Sequence, residues 1–282
     1  MSNRNLGEYH PPEDIPEPAE QTEKVVEKSE IIPAISSADA KHLIHCLTVI
    51  GQVEGHFELS AQNKTTKYEH IIPALVAIEQ DRSIEGLLII LNTVGGDVEA
   101  GLAIAELISG MKTPTVSLVV GGGHSIGVPL AVSAKQSYIV PSASMTIHPV
   151  RMNGMMLGVP QSLSYIDRIQ DRIIDFVLRE SKVSEKEFRG LMMNTTELAT
   201  DVGSVVSGEQ AVKLGLIDHL GSLSDAMQGL YDLIESTPKR FQYSVRMSFC
   251  LVRYCLKSTN MAIGRPGTFH LPTRTRSPSE AA

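Results

Sequence analysis

Length, composition and charge limit the classes of protein to which this chain can belong. Its 282 residues suffice for one large domain with a substantial core, and the hydrophobic fraction of 42% is typical of a globular protein. The formal net charge is -7, so the chain has no overall excess of basic residues to bind phosphates. We therefore expect no nucleic-acid partner for the body of the protein.

The cysteines and the apolar runs add two further expectations. Cys46, Cys250 and Cys255 lack metal-finger spacing and are too few for a disulfide framework, as is usual in the reducing cytoplasm. No run approaches the ~20 apolar residues of a membrane span, and the acidic N-terminus does not resemble a signal peptide. We therefore expect a cytoplasmic protein without a membrane span.

Three segments differ in composition. Residues 1–40 carry several prolines among many glutamates, which predicts a disordered acidic arm. Residues 41–236 alternate apolar runs with glycine turns and form the predicted folded domain. Residues 237–282 carry eight Lys or Arg against one acidic residue, and we expect a basic, disordered tail. A second interpretation of this tail is a basic amphipathic segment that contacts an anionic membrane surface.

The folded domain begins with a predicted strand and a predicted helix. Leu43–Val53 is apolar and rich in β-branched residues, which predicts a strand. Apolar residues recur at helical spacing over residues 71–78, and Pro73 is expected to break or shift the start of this helix. The histidines and the cysteine within residues 42–46 have no further ligand at metal-site spacing, so we predict no metal site there.

The next elements alternate strand and helix. Ile84–Asn92 is apolar enough for a strand buried on both faces, a helix is predicted from Asp97 to Met111, and Pro114–Val120 predicts the following strand. This order predicts right-handed crossovers and a parallel sheet with helices packed on it. Ligand sites in such folds lie at the carboxyl ends of the strands, where the turns at Gly95–Gly96 and Gly121–Gly127 fall.

Ser125 lies between glycines where the third predicted strand gives way to a small, apolar helix over Ser125–Ala134. Glycines on both sides permit a tight turn and close approach of a substrate, and amides at the helix start point toward whatever the serine attacks. The pattern Gly-x-Ser-x-Gly therefore fits a nucleophile turn. It also describes ordinary glycine-rich turns, so this motif alone leaves both interpretations open.

A histidine follows at a short chain distance from Ser125. Short strands are predicted near Ser137–Val140 and over Met145–His148, and Pro149 ends the second strand and holds its last residue in place. A histidine in such a position is more often structural, but its proximity to Ser125 favours catalysis. A long amphipathic helix is then predicted over Ser162–Glu180.

Several motifs in a fixed order carry a resemblance to a known family. They are Asn92–Gly96, Gly123–Gly127, Met145–Pro149, and Ser207–Ala211 followed by Leu214–Asp218. Together they resemble the Clp protease proteolytic subunit family over roughly residues 43–235. The amino-acid sequences of the motifs are most similar to those of its translocation-enhancing members. The resemblance implies an α/β fold, a ClpP/crotonase-like spiral of β-strands and α-helices between disordered N- and C-terminal tails.

The resemblance also implies a serine-peptidase site. Ser125 matches the nucleophile, and His148 matches the general base that takes the hydroxyl proton during attack and returns it to the leaving amine. Asp201 is the expected third member of the triad, with Glu197 as the alternative acid. His124 precedes the nucleophile and is expected to point away from it, so we do not predict a second base.

The same resemblance assigns the remaining parts of the site. The oxyanion is expected to be bound by the backbone amides of Gly96 and Ile126, and Gly95 belongs to the turn that the substrate approaches. Removal of one such donor commonly costs about 100- to 1,000-fold in rate. No metal and no cofactor are expected to take part.

The leading functional prediction is a cytoplasmic serine endopeptidase that acts on unfolded polypeptides or signal peptides and assists preprotein translocation or secretion. The resemblance implies a homo-oligomer of stacked rings that encloses the serines in a chamber. The chain contains no phosphate-binding glycine loop with lysine, so an ATPase partner or the secretion machinery would supply any ATP-driven step in trans.

Two alternatives remain from the sequence. An α/β-hydrolase esterase would also use the Gly-x-Ser-x-Gly turn, with His219 or His270 as the base, because that family places its histidine after its acid. A non-enzymatic scaffold would carry Ser125 and His148 on the same fold without aligning them, because the fold alone does not determine function.

Overall fold

The computed structural model describes residues 41–151, 159–196 and 202–237. Within these ranges the strands are β1 (Ile44–Glu54), β2 (Thr65–Lys67), β3 (Gly86–Gly96), β4 (Thr115–Gly123), β5 (Gln136–Ile139), β6 (Ser144–Ile147), β7 (Ser204–Ser207) and β8 (His219–Leu220). The helices are α1 (Tyr68–Gln80), α2 (Val98–Gly110), α3 (Gly127–Val132), α4 (Val159–Glu180), α5 (Glu185–Met192), α6 (Gly208–Lys213) and α7 (Leu223–Ser236). The predicted acidic arm and, beyond Thr237, the predicted basic tail lie outside the described residues.

The main sheet is parallel, as the alternation of strands and helices predicts. Its strand order is β2-β1-β3-β4-β5-β8, and every neighbouring pair in this order runs parallel. The strand β6 branches from the end of β4 and pairs antiparallel with β7. The pair β6–β7 therefore lies off the strand order of the main sheet. The predicted α/β fold is confirmed.

Both faces of the sheet are covered, and β3 shows how its sequence achieves this. Leu87, Ile89 and Leu91 belong to the larger apolar cluster, which also contains buried residues of α1, α2 and α3. Leu88 belongs to a second cluster with Leu230 of α7. Because successive strand residues point to opposite faces, a strand apolar at every position is buried on both sides.

Several boundaries differ from the sequence-based expectations. Pro73 neither breaks nor shifts α1 but lies inside the helix. It is exposed, as is Glu69, whose carbonyl loses its helical partner at a proline, so water can solvate that group. The strand β3 continues through Gly96, and α3 begins at Gly127 rather than at Ser125.

No helix within the described ranges is long and apolar enough to cross a membrane. Among the same residues, no group of three or more His, Cys, Asp or Glu side chains is arranged to hold a metal ion.

Buried histidine makes the stability of the fold depend on pH. His45 is 8% exposed, and burial lowers the pKa of its imidazole below the ordinary value. As the pH falls, the His45 imidazole of the unfolded chain takes up a proton near pH 6.5, whereas in the folded protein it does so only at lower pH. The stabilisation is therefore complete above about pH 6.5 and is lost as the pH falls through the lowered folded pKa.

We expect the melting temperature to fall between about pH 7.5 and about pH 5, and His45→Asn to flatten this dependence even where it lowers stability overall. Thermal melts across this range measure the slope. His219→Asn, the same substitution at an exposed position, is the matched control. An unaltered slope in His45→Asn would contradict the assignment.

Candidate active site

Ser125 occupies a strained turn between β4 and α3. Its φ of 58° is the only positive value at a non-glycine residue in the described part of the chain. Such a conformation costs about 1–3 kcal/mol and persists only when its surroundings enforce it. Here the Ser125 amide donates to the Thr146 carbonyl over 2.8 Å, and the Val128 amide donates to the Ser125 carbonyl over 3.0 Å.

The two glycine turns meet at this serine. Gly95, at the end of β3, has φ +91°, and a Cβ added there would lie 2.6 Å from Cβ of Ser125 and 2.8 Å from the His124 carbonyl oxygen. Gly95 and Ser125 lie at the carboxyl ends of the neighbouring parallel strands β3 and β4, so they meet at the same edge of the sheet. Gly95 thus leaves room for the serine turn itself, in addition to any room that it leaves for a substrate.

Gly96 is kept as glycine by the neighbouring strand β1. A Cβ at this position would collide with the backbone of Val53 in β1, and its φ is +152°. The close approach of β1 therefore suffices to exclude a side chain there. On the other side of the turn, the amides of His124, Ser125, Gly127 and Val128 donate to carbonyls, and no acceptor for the Ile126 amide occurs among the described residues.

His148 directly follows β6 and is half-buried. Its Nδ1 lies 2.7 Å from the carbonyl oxygen of Pro149, and because a carbonyl only accepts, Nδ1 carries the proton. With the proton on Nδ1, the neutral form of the ring has its lone pair on Nε2, as a general base requires. Gly203 packs against this histidine, since a Cβ there would lie 2.8 Å from Cβ of His148.

A second imidazole lies next to the serine. Nδ1 of His124 is 2.8 Å from Oγ1 of Thr146, which lies on β6. Burial lowers the pKa of His124, and the charge that His148 carries when protonated lowers it further. His124 is therefore neutral at neutral pH.

Ser125 and His148 are brought to the same region without a direct bond. The amide of Ser125 is bonded to Thr146, two residues before His148, yet no hydrogen bond joins Oγ of Ser125 to the His148 imidazole in the described structure. Catalytic hydrogen bonds are often long or poorly aligned before substrate binds. The two candidate acids, Asp201 and Glu197, lie outside the described residues.

Of the two histidines of the esterase alternative, His219 does not join this site. His219 lies on β8, two strands from β4 in the sheet, with its ring 4.8 Å from that of Tyr138. His270 lies outside the described residues.

Comparison with known proteins agrees with the fold. The Clp protease family model matches residues 41–223, well over half of the chain. The chain belongs to the Clp protease family. This membership confirms the resemblance drawn from the motifs, and it does not fit the α/β-hydrolase alternative.

The chain is also similar to individual proteins. The chain is 60% identical over 192 residues to the translocation-enhancing protein TepA of Halalkalibacterium halodurans, covering 68% of this chain and 75% of TepA. It is 27% identical over 210 residues to a putative protease of Methanocaldococcus jannaschii, covering 65% and 67% of the two chains. It is also 27% identical over 138 residues to ATP-dependent Clp protease proteolytic subunit 1 of Chlamydia muridarum, covering 47% and 68%.

Proposed function

We propose that this protein is a Clp-type serine endopeptidase with Ser125 as nucleophile and His148 as general base. One observation carries the proposal. Ser125 alone among the described non-glycine residues adopts a left-handed conformation, in a turn bonded to the strand that leads to His148. A strained serine between a strand and a helix is the arrangement that exposes Oγ to a substrate carbonyl.

The proposed reaction uses only side chains and amides of this chain. Nε2 of His148 takes the proton from Oγ of Ser125 as that oxygen attacks the peptide carbonyl, and the proton then passes to the leaving amine. The amides of Gly96 and Ile126 donate to the oxyanion of the tetrahedral intermediate. A water molecule hydrolyses the acyl-enzyme by the same steps in reverse order. No metal or cofactor is assigned a role.

Assembly and substrate binding are proposed to complete the alignment of the site. The protein would act as a homo-oligomer of stacked rings, and ring formation or a bound polypeptide would bring Oγ of Ser125 to hydrogen-bond distance of His148. The Nδ1–H of His148 is already held by the Pro149 carbonyl, so Nε2 is the nitrogen left to meet the serine hydroxyl.

The proposed substrates are unfolded polypeptides or cleaved signal peptides, and the proposed role is to assist preprotein translocation in the cytoplasm. The relative TepA is by its name a translocation-enhancing protein, which supports this role. A surface groove of about 290 Å³ between α1 and α2 is lined by apolar residues, with the partly exposed Val76 and Leu107 among them, and by the polar residues Glu79, Gln80 and Glu106. An apolar segment of an ATPase partner or of the secretion machinery would fit this groove.

Asp201 is proposed as the third member of the triad. Gly203, two residues beyond it in sequence, packs on His148, which supports the assignment. In the serine-protease template the Asp→Asn change costs about 10⁴-fold because the histidine adopts the wrong tautomer. Here the Pro149 carbonyl already favours the productive tautomer. We therefore expect Asp201→Asn to lower the rate of fluorophosphonate labelling only about ten-fold.

Glu197→Gln provides the matched control for Asp201→Asn, and it should label at the wild-type rate. A larger loss in Glu197→Gln than in Asp201→Asn would transfer the role to Glu197. An unchanged rate in both variants would leave the Pro149 carbonyl as the group that orients His148.

Intact mass after treatment with a fluorophosphonate tests the proposed function. We expect one adduct per chain, on Ser125, because only an activated serine reacts with this probe. Light scattering on the same sample would establish that the protein is assembled. No adduct on a folded, assembled sample would overturn the peptidase proposal.

A non-catalytic scaffold in preprotein translocation is the second candidate. It is favoured by one observation, the missing hydrogen bond between Oγ of Ser125 and His148 in the described structure. A scaffold would support secretion in cells equally well with Ser125→Ala, whereas a peptidase would not.

A further inference from the structure

His124 directly follows β4 and is hydrogen-bonded to β3, to α3 and to β6. Its amide donates to the carbonyl of Thr93 in β3 over 3.1 Å, and its carbonyl accepts from the amide of Gly127 over 2.9 Å. Its side chain reaches Thr146 in β6, with Nδ1 2.8 Å from Oγ1. A residue so anchored restricts the turn far more than a solvent-facing side chain would.

The imidazole of His124 packs against Gly122, where any side chain would overlap the ring. A Cβ added at Gly122 would lie 2.5 Å from Nε2 and 2.6 Å from Cδ2 of His124. Gly122 also pairs with Ser144, the first residue of β6. The ring therefore lies where β4 and β6 meet.

Thr146 holds two consecutive residues of the turn. Its carbonyl accepts from the amide of Ser125, and its hydroxyl is bonded to the ring of His124. His148 follows two residues later, the spacing at which side chains of an extended chain point to the same side. The bond between His124 and Thr146 thus ties the turn that carries the nucleophile to the strand that carries the general base.

The charge state of His124 agrees with a role in positioning. Burial and the neighbouring His148 both lower the pKa of His124, so the ring stays neutral at neutral pH. A neutral ring does not oppose the proton that His148 would gain during the reaction.

We propose that His124 is a positioning residue, which holds Ser125 in register with His148 through its hydrogen bond to Thr146. This inference rests on the proposed function, since it concerns the same site. His124 makes no contact with the reacting atoms in this mechanism. It acts by keeping the left-handed turn fixed on β6.

The test compares two amide substitutions at one position. Asn places a polar atom where Nδ1 of His124 lies, whereas Gln places it one bond farther, where Nε2 lies. We expect His124→Gln to lower the fluorophosphonate labelling rate about ten-fold, because small displacements of a nucleophile are costly, and His124→Asn to restore most of it. A purely space-filling role would not distinguish Asn from Gln in this way.

Substitutions of Thr146 test the same bond from its other end. Thr146→Val removes the hydroxyl and should match His124→Gln, while Thr146→Ser keeps it and should label nearly as the wild type does. The double variant His124→Gln, Thr146→Val should be no slower than either single variant, since both remove one interaction. Additive losses would overturn the proposal, and so would wild-type labelling in His124→Gln.

Hydrogen exchange at the Ser125 amide provides a readout that needs no activity. His124→Gln and Thr146→Val should accelerate this exchange several-fold, because the amide is bonded to Thr146, while His124→Asn should not. His219→Asn, on β8, is the control for a distant histidine. If the wild type takes no label, the proposed function fails, and the exchange rates still decide on His124. Unchanged exchange in both variants would then overturn the positioning role.

Discussion

Ser125→Ala and His148→Ala should each reduce fluorophosphonate labelling and peptide hydrolysis to background. Removal of Ser125 deletes the attacking oxygen, and removal of His148 deletes the group that accepts its proton. In the serine-protease template, loss of either residue alone costs on the order of 10⁶ in kcat, about as much as loss of the whole triad. The measurement is intact mass and peptide turnover for each variant beside the wild type.

Matched controls separate catalysis from folding. Ser142 is an exposed serine in the turn before β6, and His219 is an exposed histidine on β8. Ser142→Ala and His219→Ala should label and hydrolyse as the wild type does. An adduct that persists in Ser125→Ala would refute the nucleophile, and full activity in His148→Ala would refute the base.

Much of the fold was predictable because its central strands have an unambiguous pattern. The run over Ile84–Asn92 is apolar at nearly every position, and β3 is buried on both faces as this pattern predicts. The elements missed have weak local signals. The strand β7 is four residues long with alternate residues exposed, and β8 has two residues. Their pairing depends on distant partners that no local pattern reveals.

The candidate site was predictable where glycine and proline mark the chain. Gly121–Gly127 locates the turn at Ser125, and Pro149 marks the end of the strand at His148. The tertiary reasons for other residues were not visible. Gly96 is required by the backbone of β1, and His124 acquires its partner from Thr146, which is distant in sequence. Sequence adjacency to Ser125 predicts only that His124 points away from it.

Gly95→Ala should lower the labelling rate at Ser125 at least about 100-fold, since a displacement of about 1 Å at a reacting group costs that much. The added Cβ would lie 2.6 Å from Cβ of Ser125 and 2.8 Å from the His124 carbonyl oxygen, and the φ of +91° is unfavourable for alanine. Relief of this overlap must displace the serine turn, since β1 and β4 hold β3 on both sides.

The control for Gly95→Ala is Gly190→Ala, within α5. A Cβ there meets nothing within 4 Å, so this variant should label normally and gain about 0.5–1 kcal/mol of stability from its higher helix propensity. Labelling rates and thermal melts of the two variants distinguish a local effect from unfolding. A folded Gly95→Ala protein that labels at the wild-type rate would mean that the turn at Ser125 tolerates displacement. The steric argument that Gly95 keeps Ser125 in its reactive position would then be refuted.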